Sequence, residues 1–149
     1  MSEPKAEQIF FDIYEKEIAP LLPDKPEGSN NFELDRVGKK LLGKKYIGTY
    51  ASDKIPRDKQ GYFIVNLDKS NQKGSHWVGV VRDSEGAVVF DSFGRDTKEI
   101  LPFAYKDFGK YVETENDAEQ DVLSSICGGL SMAWLLFFSR YGRDNAILI

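Results

Sequence analysis

The sequence predicts one compact domain that mixes helices with strands, helical patterns lying towards both ends and strand patterns between them. Three observations carry that expectation. Over residues 6–22, Ile9, Phe10, Ile13, Ile18 and Leu21 recur at helical spacing among Glu and Lys. Between Tyr46 and Phe90 the pattern changes to short runs rich in β-branched and aromatic residues, separated by Gly, Asp, Ser and Pro. From Leu130 to Phe138 the chain is continuously apolar and strong in helix formers, as a buried helix requires. A chain of 149 residues, 41% of them hydrophobic, can build its core as a single domain.

The elements follow in order. Pro20 and Pro23 bracket the end of the first helix, and residues 23–29 form a loop. Asn30 or Asn31 then caps a second helix carrying Phe32, Leu34, Val37, Leu41 and Leu42. Lys39, Lys40, Lys44 and Lys45 cluster at its C-terminal end, where cations offset the helix dipole on a solvated face. Tyr46–Tyr50 reads as a short strand. Gly61–Leu67, nearly continuous in apolar residues, reads as a central one. A polar loop over 68–75 leads to a strand from His76 to Arg82, a turn at Asp83–Gly86, and a hairpin partner from Ala87 to Phe90. Asp91 closes that partner. The turn is expected to set His76 directly opposite Asp91, with Cβ atoms ~5 Å apart, the range in which a carboxylate can hold an imidazole. Lys98–Gly109 is expected as a helix interrupted or started at Pro102, with Ile100, Leu101, Phe103, Tyr105 and Phe108 on its apolar face. Tyr111–Thr114 fits an edge strand and 115–119 an acidic loop. Beyond the apolar helix, residues 141–144 end it and Ala146–Ile149 form an apolar tail.

Composition removes several function classes. The net charge of −4, from 20 basic and 24 acidic residues, argues against a dedicated nucleic-acid binder. A single cysteine, Cys127, excludes an intramolecular disulfide and any multi-cysteine zinc or iron–sulfur site. With a single histidine, His76, as well, a metal would have to rest on carboxylates, so neither metal nor cofactor is expected. The polar, acidic residues 1–7 do not read as a secretory signal, and no run approaches the ~18 apolar residues that span a membrane. The expected setting is reducing and intracellular, where a lone thiol can act as a thiolate.

Cys127, followed at once by Gly128 and Gly129, falls at the first turn of the apolar helix, where the macrodipole and free backbone N–H groups stabilise an anion. One Cys and one His are the minimum for a thiol nucleophile and its base, with Asp91 to orient the ring. Backbone N–H groups at Cys127, with the side-chain amide of Gln120, could stabilise an oxyanion, and Gly128 would keep the space beside the thiol open. Each residue taken alone has a plainer role: Cys127 as a small buried hydrophobe, His76 as a packed strand residue, Asp91 as a turn initiator. On that reading the chain is a binding or scaffold domain.

Together the motifs resemble a family. His76-Trp77, then Phe90-Asp91-Ser92-Phe93-Gly94, then Gln120 seven positions before Cys127-Gly128, are similar to the adenovirus-type maturation proteases. The related ubiquitin-like-protein-specific (SUMO-type) proteases use the same order of His, acid, Gln and Cys. Ile47–Pro56 and Val65–Asp68 extend the resemblance to about residues 47–138. Phe93-Gly94 and the Gln-to-Cys spacing lean to the viral branch; cellular deconjugating enzymes more often carry Leu after Asp-Ser and an acidic residue where this chain has Ile126. The resemblance implies an α+β fold of the adenain/SUMO-protease type, a mixed central β-sheet flanked by helices. It implies a cysteine endopeptidase with His76, Asp91 and Cys127 as catalytic residues, Gln120 and Cys127 at the oxyanion hole, and Trp77 and Gly128 contacting substrate. Its substrates would be viral capsid and core precursors, cut at Gly-containing sites during virion maturation in the host cytoplasm or virus factory. The enzyme would be packaged in the virion as a monomer, in a small double-stranded DNA virus such as a virophage. A cellular deconjugating protease is the alternative. The covalent peptide activator of the adenoviral enzyme needs a second cysteine and is excluded here, whereas a non-covalent activating peptide is compatible. For DNA activation the Lys39–Lys45 cluster is thin support. The acid is Asp where adenovirus has Glu, which alters reach more than role.

Overall fold

The computed structural model describes residues 1–71, 76–115, 118 and 125–149. Its centre is a five-stranded mixed sheet in sequential order: β1 (Tyr46–Tyr50), β2 (Gly61–Asn66), β3 (Trp77–Asp83), β4 (Gly86–Phe90) and β5 (Tyr111–Glu113). The three inner strands are antiparallel to their inner neighbours, while β1 and β5 add in parallel at the two edges. Helices α1 (Glu3–Ile13), α2 (Asn31–Leu42) and α4 (Cys127–Tyr141) cover one face, together with α5 (Arg143–Ala146). The other face is covered by Ile55 and by the segment after β4, which contributes Leu101, Ala104 and Phe108. The architecture is thus α+β. Because both faces are covered, successive residues Phe63, Ile64 and Val65 are all fully buried, which is why β2 reads as a continuous apolar run.

α4 anchors this arrangement. Every residue from Cys127 to Phe138 is buried, so the helix is apolar around its whole circumference. Trp134 lies flat on Phe90 (ring centroids 5.4 Å apart, planes within 10°) and donates its Nε1–H to the Ala146 carbonyl at 3.0 Å. The close approach depends on Gly79 of β3, where an added Cβ would stand 3.1 Å from the indole. Ser131 donates to the Trp77 carbonyl at 3.2 Å and thereby ties the first turns of α4 to the start of β3.

Local signals explain where most elements begin. Asn30 accepts from the Glu33 N–H while the Glu33 carboxylate accepts from the Asn30 N–H, a complete capping box at the head of α2. Three expectations need correction. The first helix does not run as an α-helix to residue 22: after Ile13 it widens into a π-helical turn, Tyr14–Ile18, closed by the Ala19 N–H on the Tyr14 carbonyl at 2.8 Å. Pro20 has no N–H to return to Lys16, and a widened turn accommodates its ring. The segment 98–109, expected as a helix interrupted or started at Pro102, is interrupted there and holds only short helical turns. α3 spans only Thr97–Ile100, Leu101 leaves the helical region (φ −130°, ψ 61°) as a residue before proline tends to, and a 3₁₀ turn, Tyr105–Phe108, follows. Phe103 is therefore 82% exposed instead of buried, and Ala104 takes the inward place.

The hairpin register also differs from expectation. Asp83 pairs with Gly86 and Gly79 with Phe90, two residues further along β4 than a direct His76–Asp91 pairing requires. The ladder stops at Phe90, where Asp91–Gly94 turns, so His76 and Asp91 lie just beyond the paired residues of β3 and β4. An even slip leaves side chains on the same face, so the two groups still meet.

Gly38 of α2 faces the buried ring of Tyr46, and a Cβ there would fall 2.5 Å from it. Gly38→Ala is expected to lower the stability read by urea denaturation by about 1–2 kcal/mol, overpacking outweighing the better helix propensity of alanine.

Candidate active site

Three of the residues singled out from the sequence converge at the end of the sheet. His76 precedes β3, Asp91 follows β4, and Cys127 opens α4; all three are buried. His76 Nε2 lies 2.5 Å from Asp91 Oδ1. That leaves Nδ1 as the ring nitrogen free for the Cys127 thiol, which lies close enough for the two groups to shift one another. The backbone N–H groups of Trp77 and Gly128 are also directed at the sulfur. As the first residue of α4, Cys127 offers an N–H that has no carbonyl to meet within the helix.

The electrostatics favour a charge-separated pair. Burial pushes the Asp91 carboxyl up, but hydrogen bonds from His76 and Arg95 outweigh it and hold the group at about 2. Burial opposes the His76 imidazolium, yet the bonds to Asp91 and Cys127 raise it above the usual histidine value. Burial likewise pushes the Cys127 thiol up, and the imidazole and the two backbone N–H groups bring it below the usual thiol value. Both shifts act in one direction, favouring thiolate with imidazolium over the neutral pair. The thiolate is the nucleophilic form of the group.

A cleft of about 700 Å³ ends on Cys127. Trp77, Tyr50 and Asn66 line it on the sheet side, and the loop over residues 25–31 forms the opposite wall. Trp77 Nε1 donates to the Ser29 carbonyl at 2.9 Å, and Ser125 Oγ donates to Asp24 at 2.6 Å, so this wall is fastened to both β3 and the approach to α4. Trp77 stands where a substrate contact is expected. Gly128 does not open space beside the thiol. It is buried, and a Cβ on it would fall 3.2 Å from both Leu34 and Trp77, so its lack of a side chain lets α4 seat closely while its N–H serves the sulfur. Gln120 lies outside the described residues.

One participant was not anticipated. Arg95 donates through Nε and through its backbone N–H to Asp91 Oδ2, each at 3.0 Å, so the carboxylate is engaged on both oxygens. An Arg four residues after an Asp is the signal that could have shown it. Among the described residues, no group of three or more His, Cys, Asp or Glu side chains is placed to hold a metal ion, and no helix is long and apolar enough to cross a membrane. A scan against protein-family models finds no match. A search of curated proteins finds none either.

Because the folded Asp91 carboxyl is held below its unfolded value, its contribution to stability is complete above about pH 4 and fades as the pH falls towards 2. The urea-denaturation gap between the wild type and Asp91→Asn should accordingly be about 2 kcal/mol above pH 5 and close steadily in acid. Iodoacetamide reports on the thiol itself. Its rate with Cys127, the chain's single cysteine, should rise with a midpoint below that of a free thiol, and in His76→Ala the midpoint should move to higher pH, because only the two backbone N–H groups then oppose burial.

Proposed function

We propose that the chain is a cysteine endopeptidase in which Cys127 is the nucleophile, His76 its base and acid, and Asp91 the group that orients the imidazole. The observation that supports this reading most is the position of His76, bonded to a buried carboxylate and coupled to a thiol at a helix start. In the first step the thiolate attacks the scissile carbonyl carbon. The oxyanion that forms is met by the Cys127 N–H and, on the resemblance, by the Gln120 amide. The imidazolium then gives its proton to the departing amine, leaving a thioester on Cys127. Water, deprotonated by the neutral imidazole, attacks the thioester and releases the acid and the thiol.

The finer reading is a maturation protease of the adenovirus type, acting on viral capsid and core precursors after Gly. It rests on the motif order from Ile47 to Phe138, on Phe93-Gly94 after the acid, and on the spacing from Gln120 to Cys127. The resemblance implies small residues next to the cut, and Trp77 lines the cleft that ends on Cys127.

Incubation with a peptide containing Gly-Gly should give cleavage after Gly, and Cys127→Ala should abolish it while keeping the wild-type melting transition. Cleavage retained by that variant would remove Cys127 as nucleophile. A modifier–fluorophore conjugate should be a poor substrate; rapid turnover of it would assign the chain to the deconjugating branch instead.

A further inference from the structure

Four groups at the site close a ring. Asp91 Oδ1 meets His76 Nε2; the His76 imidazole lies flat on Phe93, centroids 4.6 Å apart and planes within 17°. The Arg95 guanidinium carbon stands 4.7 Å from the centre of the same phenyl ring, and Arg95 returns to Asp91 through Nε and its backbone N–H at 3.0 Å, with Nη2 3.5 Å from Oδ1. A tight turn makes the ring possible: the Gly94 N–H bonds the Asp91 carbonyl at 2.9 Å, and Gly94 takes a φ of +67° that L-residues seldom adopt.

We infer that Phe93 and Arg95 are positioning residues, holding the plane of the His76 imidazole and the direction of the Asp91 carboxylate so that Nδ1 stays on the thiol. Partners at Nε2 and Nδ1 fix distances but leave the plane of the imidazole free to tilt about the line that joins them. A phenyl face stacked beneath the ring removes that freedom, and it also favours the protonated ring through its quadrupole. Arg95 does the corresponding work for the carboxylate by occupying the oxygen that His76 does not use. It also sets the charge that His76 experiences. The charged groups bearing on the imidazole are Asp91 and Cys127; those bearing on Asp91 are His76 and Arg95; the one bearing on Cys127 is His76. Arg95 therefore competes with the imidazolium for one carboxylate.

The inference rests on the peptidase reading only for its purpose, because its test needs no substrate. His76 and Cys127 are the chain's single histidine and cysteine, so the imidazole NMR titration and the iodoacetamide rate are each specific to one residue. In Arg95→Gln the titration midpoint should move to higher pH, since the carboxylate loses its second cation while the backbone N–H of residue 95 still holds it. In Phe93→Leu the midpoint should move to lower pH, and the iodoacetamide rate at neutral pH should fall roughly three- to tenfold, the weight of one aromatic stacking contact. Phe93→Tyr, which keeps the ring face, should restore both readings. Unchanged midpoints and rates in Arg95→Gln and Phe93→Leu would overturn the proposal, and if Phe93→Leu does not fold, Arg95→Gln decides alone. The peptide assay run on the same proteins separates the two readings. A wild type that cleaves nothing removes the peptidase while leaving any titration shifts in place; a wild type that cleaves, with midpoints unmoved, removes only the clamp.

Discussion

The burial of α4 is the constraint on which the rest of the molecule depends. A helix apolar on every side has to be enclosed on every side, and the sheet, α1, α2 and α5 together form that enclosure. Trp134 on Phe90 sets its height over the sheet, and Ser131 on the Trp77 carbonyl sets its position along β3. Its first residue is consequently delivered, without freedom to shift, to the point where β3 begins and β4 ends. The chemistry is built on that point. A thiol at the end of a loosely packed helix could not keep a hydrogen bond to an imidazole that belongs to another element.

Burial has an electrostatic consequence as well. Withdrawing a thiol, an imidazole and a carboxylate from water disfavours each charge taken singly. Here the three are arranged in sequence, so that each charge is answered by the next, and Arg95 and the backbone N–H groups of Trp77 and Gly128 complete the set. The ionised form of the site is thus a property of the assembly. Removing any member leaves a buried charge unanswered, which is a larger perturbation than the loss of one surface ion pair.

How much of this was legible in the sequence depended on the range of the interaction. α4 and the place of Cys127 at its head were readable because an apolar run is a local signal, and the α2 cap because Asn30 and Glu33 lie within one turn. The strands were readable for the same reason. The hairpin register was not: it depends on which residues the turn absorbs, and the true pairing lies two residues from the expected one. The meeting of His76 with Asp91 was foreseen, but the two lie beyond the paired residues and meet through their side chains, not by direct pairing. Arg95 was missed because a surface-like arginine gains its role only from a turn that folds it back over Phe93. In the segment 98–109 the break at Pro102 was foreseen, but Phe103 was placed on the apolar face and is exposed, so spacing alone does not decide burial.

The parallel placement of β5 beside β4 obliges the chain to leave the sheet after Phe90, pass over its second face and return at Tyr111. That one excursion carries Asp91, Phe93 and Arg95 near its start and Leu101, Ala104 and Phe108 further on. The acid side of the site and the cover of the second core therefore lie on one continuous segment, whereas the thiol lies on another. Transient lifting of the excursion would leave the nucleophile in place and disconnect its base from the acid. Amide hydrogens over 91–108 and those of α4 then belong to different classes of opening event.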